Sequence, residues 1–222
     1  MTERGPGERT RVRRLPEKAR YDFETIGAIF DDAPFCHVSA AVEGLAMALP
    51  TLHAREGKTL FLHGSNSNAL LRAALDQPRV VVTATNYDGI RLARSGFESS
   101  IAYRSALVMG PLREIEDLAE KRRILDLLID QVLPGRSREV RPASERELRL
   151  TLVVALAMEE GSAKVSQGPT EDDEADLALP VWGGVVPARL TYGEPIPDGR
   201  GAMASGAVEL PASLQHFMTT RE

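Results

Sequence analysis

The sequence predicts a mainly β fold, an antiparallel barrel with helices at its periphery, and three observations carry that prediction. Segments with a period of two or dense β-branching outnumber helical ones. Turn signals such as Glu43-Gly44 join successive strands. No strand–helix–strand alternation runs along the chain, so a doubly wound parallel sheet does not follow.

The elements follow in order. Asp22 to Ala33 reads as a helix, with Phe23, Ile26, Ile29 and Phe30 on one face and Pro34 stopping it. Phe35 to Val42 and Leu45 to Leu52 read as a hairpin, and Lys58 to His63 as the third strand. There Thr59, Phe61 and His63 take one face and Leu60 and Leu62 the other. A short helix over Ser67 to Gln77 follows, closed by Pro78. Val80 to Thr85 is β-branched almost throughout; Asn86-Tyr87-Asp88-Gly89 reads as a turn and Ile90 to Arg94 as more sheet. Ile101 to Ile115 is long enough for a bent strand crossing the sheet. Asp117 to Leu133 has Leu118, Leu125, Leu128, Ile129 and Val132 at helical spacing before Pro134-Gly135. A short helix at Ser144 to Arg149 leads into a strand at Leu150 to Met158, with further strand segments at Ala163 to Val165 and Val185 to Tyr192. Gly168 to Asp176 and Pro195 to Gly206 read as loops.

The 222 residues suit one domain with tails: a flexible basic arm over 1–12, the barrel domain over 13–198 and a C-terminal tail over 199–222. Both tails are expected to be dispensable for ligand binding, although Leu210, Leu214 and Phe217 fall near helical spacing. The longest apolar runs, such as Leu152 to Met158, are too short to span a membrane, and no apolar segment follows the N-terminal arginines as in a secretory leader. A single cysteine, Cys36, rules out an internal disulfide, and these features point to the cytoplasm. Residues 1–20 carry seven basic and three acidic side chains, whereas the chain as a whole has net charge −5. An acidic body, and a basic arm without an aromatic residue before Tyr21, argue against nucleic acid as a partner.

Several motifs fail. Gly57-Lys58-Thr59 lacks the glycine that a phosphate-binding P-loop needs five positions earlier, where Leu52 stands. No Gly-x-Ser-x-Gly elbow occurs. His37, His53, His63 and His216 lack the paired spacing of a zinc site; His37 and His53 are expected on neighbouring strands, as ordinary strand residues or sharing a metal. Cys36 reads as a small core residue, and Asp172, Asp173, Glu174 and Asp176 as an exposed acidic loop.

Three segments carry more chemistry. Ser65, Ser67 and Asn68 stand where the third strand enters its helix, either as plain caps or as donors to a phosphate at a helix start. Tyr103-Arg104-Ser105 puts Tyr103 and Ser105 on one strand face and Arg104 on the other. Trp182, in a glycine-rich turn, suits stacking on a flat ring.

Together these segments resemble the flavin-nucleotide-binding relatives of pyridoxamine 5′-phosphate oxidase, including the nitroimidazole-resistance-type proteins. The pattern runs through Tyr21-Asp22, Leu49-Pro50-Thr51, Leu62-His63-Gly64-Ser65 and Leu92-Ala93-Arg94-Ser95. It continues with Tyr103-Arg104-Ser105 before Gly110, Pro134-Gly135-Arg136, Ser162-Ala163-Lys164-Val165, Gly168-Pro169 and Val181 to Pro187, covering residues 13–198. The chain departs from it at Glu98 and Ala102, where the family usually has histidine and asparagine, and at Ser166, where arginine is common. The arginine-rich C-terminal signature of true pyridoxamine-phosphate oxidases is absent.

The resemblance implies an FMN-binding split β-barrel, a homodimer with flavin mononucleotide at the subunit interface, and electron or hydride transfer to a small-molecule substrate. Ser65, Ser67 and Asn68 would take the phosphate, and Pro50, Thr51, His63 and Gly64 would line the cofactor. Ser105 would bond it from a neighbouring strand, and Lys164 and Trp182 would close the pocket. His63 is the one candidate for acid–base catalysis. Two other readings stay open: a flavin or haem storage or sensor protein, with haem on His37, His53 or His63, and a deazaflavin-dependent reductase.

Overall fold

The structure, a computed structural model, describes residues 7–201, 203, 206 and 208–220. Two antiparallel sheets face each other. The larger contains β1 (Ala19–Arg20), β2 (Cys36–Val42), β3 (Leu45–Thr51), β6 (Val80–Leu92), β7 (Ser100–Gly110), β10 (Glu160–Ser166) and β11 (Gly184–Pro187). Its order is β1-β10-β7-β6-β2-β3, with β11 on the far half of β6. The smaller holds β4 (His53–Glu56), β5 (Thr59–Ser65), β8 (Leu112–Glu114) and β9 (Thr151–Ala157), in the order β4-β5-β9-β8. The chain crosses between sheets at Leu52, Pro111 and Met158-Glu159, and these crossings make the corners of a split barrel.

The apolar pattern explains the layers. Leu60 and Leu62 of β5 enter the main core with Val82, Val108, Leu152, Leu156 and Phe30. Phe61, one residue out of phase, enters a second core with Ala54, Val153, Ile115, Ile124 and Leu128. Helix α1 (Phe23–Asp32) starts where Asp22 accepts the Thr25 N–H at 2.7 Å and buries Ile26, Ile29 and Phe30. The short α2 (Ala69–Leu75) covers the same core. Helix α3 (Leu118–Val132) covers the second, and α4 (Glu145–Leu150) opens with a Ser144/Glu147 capping box.

Five local expectations need correction. His53 to Glu56 form a separate strand, because the hairpin at Gly57 folds them back onto β5. Asn86 to Gly89 is no turn: β6 runs on through a bulge at Asp88. Gly89 is required there, since its φ is 147° and a Cβ would lie 2.3 Å from the Val186 carbonyl oxygen of β11. The strand expected over Ile101 to Ile115 breaks at Pro111, which has no N–H for the ladder. The buried stripe of α3 is Lys121, Ile124 and Leu128, while Val132 is 60% exposed. His37 and His53 are not on neighbouring strands, because β2 and β4 belong to different sheets.

At the ends of the chain, Thr10 is 4% exposed and the Val12 N–H donates to the Tyr21 hydroxyl at 2.9 Å. Helix α5 (Ala212–Thr220) docks through Ser213, whose N–H and hydroxyl both donate to Glu139, at 2.8 and 2.5 Å. Its Phe217 ring meets Tyr192 edge-on at 4.9 Å. Among the described residues no helix is long and apolar enough to cross a membrane.

Candidate functional site

The predicted site residues fall into two neighbouring groups and one distant one. The first is a corner where β3 ends and β5 runs into α2. Thr51 ends β3 two residues before the His53–Leu62 pair, so Pro50 and Thr51 lie at the same end of the ladder as His63, Gly64 and Ser65. The helix cap here is Asn68, not Ser65 or Ser67: its Oδ1 accepts the Leu71 N–H at 3.0 Å. The Ser65 hydroxyl lies 3.0 Å from that of Ser67 and also accepts the Ser67 N–H at 3.3 Å. Asn66 is held from outside, by its Nδ2 on the Arg149 carbonyl and by Arg72, which pairs with Glu114 at 2.7 Å. Gly64 lets α2 come close, since a Cβ would stand 3.0 Å from both Asn68 Nδ2 and Leu71 Cδ1.

The second group is a pocket on the outer face of the large sheet. Directly paired residues share a face, so Thr85, Ser105 and Lys164 form one row across β6, β7 and β10. Pro50, His37, Thr83, Leu107 and Ser162 form the row beside it. The cavity over the Thr85-Ser105-Lys164 row and the Thr83-Leu107-Ser162 part of the next holds about 390 Å³ and is walled by Val12 from the N-terminal segment. The second row joins the corner to the pocket, from Pro50 across His37 to Thr83.

Trp182 stands apart. It is 63% exposed beside β11, on the extension made by the far half of β6. Arginines that sequence reasoning left unassigned hold this extension. Arg91, 4% exposed, donates to the Ser166 hydroxyl at 3.1 Å and to the Pro169 carbonyl, and lies 3.6 Å from Glu171. Arg94 pairs with Asp172 at 2.9 Å, so that carboxylate is tied down rather than an exposed charge. Arg104, read as a strand arginine facing away from Ser105, binds Asp88 through both Nε and Nη2, and Asp32 at 2.6 Å. Those carboxylates raise its pKa, and the same contacts keep that of Asp88 low. The departures from the family pattern become intelligible. Ser166 receives a guanidinium from Arg91, and Ala102 is buried opposite Gly89. Only the spacing of Arg91 and Arg94 from the Glu171-Asp172 pair could have signalled this, and a spacing of about 80 residues is invisible to local pattern.

The histidines separate cleanly. His53 is fully buried, with Nε2 2.7 Å from the Phe30 carbonyl and its pKa lowered by burial. His37 is exposed on β2, edge-on to Phe35. His216 is exposed on α5. His63 is half-buried, and its Nδ1 is shut away from solvent without a partner. Burial lowers its pKa and so favours the neutral imidazole.

The residues present fit two kinds of bound group. The pocket presents hydroxyls and an ammonium between Val12 and Leu107, the mixture that a flat ring with a polar edge requires. His63 offers a half-buried imidazole that burial keeps toward its neutral form, and with Nδ1 closed to solvent a metal would have to reach it through Nε2.

Known proteins resemble the chain over most of its length. The family model described as pyridoxamine 5′-phosphate oxidase matches residues 22–165. The flavocytochrome Anf3 of Azotobacter vinelandii is 36% identical and superposes with a TM-score of 0.89, over 95% of this chain and 97% of its own. The FAD and haem binding protein of Mycobacterium smegmatis is 35% identical, with a TM-score of 0.83 over 90% and 96%. A Bacteroides thetaiotaomicron protein named for 5-nitroimidazole antibiotic resistance shares the fold, at 24% identity and a TM-score of 0.57 over 66% and 86%. None of the curated proteins compared matches the chain.

Proposed function

The chain belongs to the pyridoxamine 5′-phosphate oxidase family, and from that premise we propose that it binds a flavin nucleotide and haem and moves electrons between them and a small-molecule substrate. The observation that carries this reading is the sheet-face pocket. Its Thr83, Thr85, Ser105 and Lys164 side chains make no hydrogen bond or ion pair among the described residues. Two relatives more than a third identical over nearly their whole length are a flavocytochrome and an FAD and haem binding protein, which supports the same pair of groups here. Thr85, Ser105 and Lys164 would hold the flavin ring, and Ser65, Ser67 and Asn68 its phosphate. Flavin, when bound, supplies the redox chemistry; the protein supplies position and charge.

For haem, His63 is the preferred ligand over His37, because its imidazole is kept neutral and half-shielded. His53 is unsuitable, since it is fully buried in the core with Nε2 on the Phe30 carbonyl and is closed to a ligand from outside. FMN is the flavin that the sequence suggests, and FAD is the one that a relative binds. In either case the working form is a cytoplasmic homodimer. The exposed Ile90, Leu92, Ile101 and Val186 share one face of the β6 extension and make an apolar patch there that a second subunit would cover, bringing Trp182 to the partner's site.

An absorption spectrum of the purified full chain tests the reading. Flavin gives bands in the near ultraviolet and blue, haem a Soret band, and acid extraction followed by chromatography separates FMN, FAD and deazaflavin. A chain that takes up neither group when offered both refutes it. Light scattering of the loaded protein is expected to give a dimer, and a loaded monomer at micromolar concentration would exclude the shared site.

A further inference from the structure

Lys164 differs from every other lysine of the chain. Lys18 pairs with Glu171 at 3.0 Å, Lys121 donates to the Thr151 carbonyl at 3.0 Å, and Lys58 lies over the Phe23 ring at 5.3 Å. Lys164 has no carboxylate, carbonyl or ring partner among the described residues, although it is half-buried in the middle of the sheet. Its row neighbours are Ser105 on one side and Ala19 on the other. The next carboxylate on its own strand face is Glu160, four residues away or about 13 Å along β10. That carboxylate already faces Arg9 and Arg79, at 3.9 and 3.7 Å. An ammonium partly withdrawn from water and left without a counter-charge favours a ligand that brings negative charge to it.

We infer that Lys164 sets the reduction potential of the flavin held in this pocket; the inference rests on the flavin reading above. Oxidised flavin has a neutral ring. Two electrons from a reductant and one proton from water give a reduced ring carrying a negative charge on its pyrimidine half. A fixed positive charge beside that half stabilises the reduced form more than the oxidised one, and so raises the potential. Lys164 makes no covalent bond to the ring. The hydroxyls of Thr85 and Ser105, one strand spacing apart in its row, face the same polar edge but carry no net charge, so they distinguish the two oxidation states less than the ammonium does.

Reduction of the flavin-loaded full-length protein by dithionite, with an indicator dye reporting the potential, tests this. Lys164→Met is expected to lower the midpoint by about 30 mV, which corresponds to about a tenfold loss in preference for reduced over oxidised flavin. Its affinity for oxidised flavin should change only a few-fold, and Lys164→Arg should restore the parent midpoint. A parent-like midpoint in Lys164→Met, or equal weakening of both oxidation states, overturns the inference. If Lys164→Met holds no flavin, Lys164→Gln is measured in the same way. Loss of oxidised flavin from that variant too would make the lysine a structural contact and overturn its charge role. A parent protein that takes up no flavin refutes the flavin reading itself, and the inference falls with it.

Discussion

The Ser65–Asn68 corner and the Ser105–Lys164 pocket carry similar side chains, yet their hydrogen bonding differs. In the corner, the Ser65 and Ser67 hydroxyls bond each other, Asn68 caps α2 and Asn66 is clamped by Arg72. In the pocket, the Thr83, Thr85 and Ser105 hydroxyls and the Lys164 ammonium have no protein partner among the described residues. A self-bonded group must give up a bond before it serves a ligand, so its net gain is smaller. A group beside a cavity with no protein partner exchanges only water for the ligand, so its net gain is larger. The difference teaches that a helix start rich in serine and asparagine is first a folding device, whereas an unpartnered row on a sheet face is a binding device.

The sharpest way to break this comparison is His63→Ala, which removes the half-buried imidazole of the corner and leaves the pocket intact. Haem uptake, read as the Soret band, is expected to vanish while flavin binding stays within a few-fold. Joint loss of both groups would mean that corner and pocket are a single site. Next in size is Ser65→Ala with Ser67→Ala. A hydroxyl bonded to a phosphate contributes about 1.5–3 kcal/mol, and the mutual bond between these two places the expected loss at the lower end. Flavin with its phosphate should bind about tenfold or more weakly, and riboflavin unchanged. Equal effects on the two ligands would remove the phosphate from the corner.

Much of the fold was legible because it rests on local pattern. The Asp22 and Asp117 caps, the Glu43-Gly44 hairpin and the alternation in β5 all act within a few residues. What was not legible depended on distant partners. Asn86 to Gly89 has turn composition, yet β7 and β11 on its two sides hold it extended. His53 begins a strand only because β5 is there to receive it. Of the site, the row Thr85-Ser105-Lys164 was half visible: Ser105 and Lys164 came from the family resemblance, and Thr85 emerges only from register. The arginine clamp on residues 166–172 joins side chains too far apart in sequence for local pattern to show.

Acid should separate the two regions again, with a smaller effect. His53 sits in β4 beside the corner, and burial first of all lowers its pKa from the ordinary 6.5. The unfolded chain therefore binds a proton below pH 6.5 that the folded chain resists. The stability this group contributes is complete above 6.5 and is lost as pH falls through the depressed folded value. No imidazole or carboxylate lines the pocket. Urea titrations between pH 7 and pH 5 should show falling stability, and His53→Gln should flatten the slope. An unchanged slope would assign the acid sensitivity to other groups.

The smallest expected effect comes from removing residues 1–12. Composition alone makes this segment a solvated arm, but Thr10 is buried and Val12 walls the pocket, held by its N–H to Tyr21. Val12 is half-exposed, so covering a ligand with it contributes less than the roughly 1.5 kcal/mol of a fully buried valine. The shortened chain should therefore fold and keep its melting temperature within a few degrees, yet release flavin a few-fold faster. Val12→Ala should do part of the same, which separates the loss of a wall from any effect of the missing arginines. The described residues 7–12 make no hydrogen bond or ion pair with the corner, so the ratio of FMN to riboflavin affinity should not move. If dissociation is unchanged in both variants, Val12 only rests beside the pocket and the arm is dispensable after all. If the ratio shifts, the arginines of the arm reach the phosphate, and the corner is not its sole anchor.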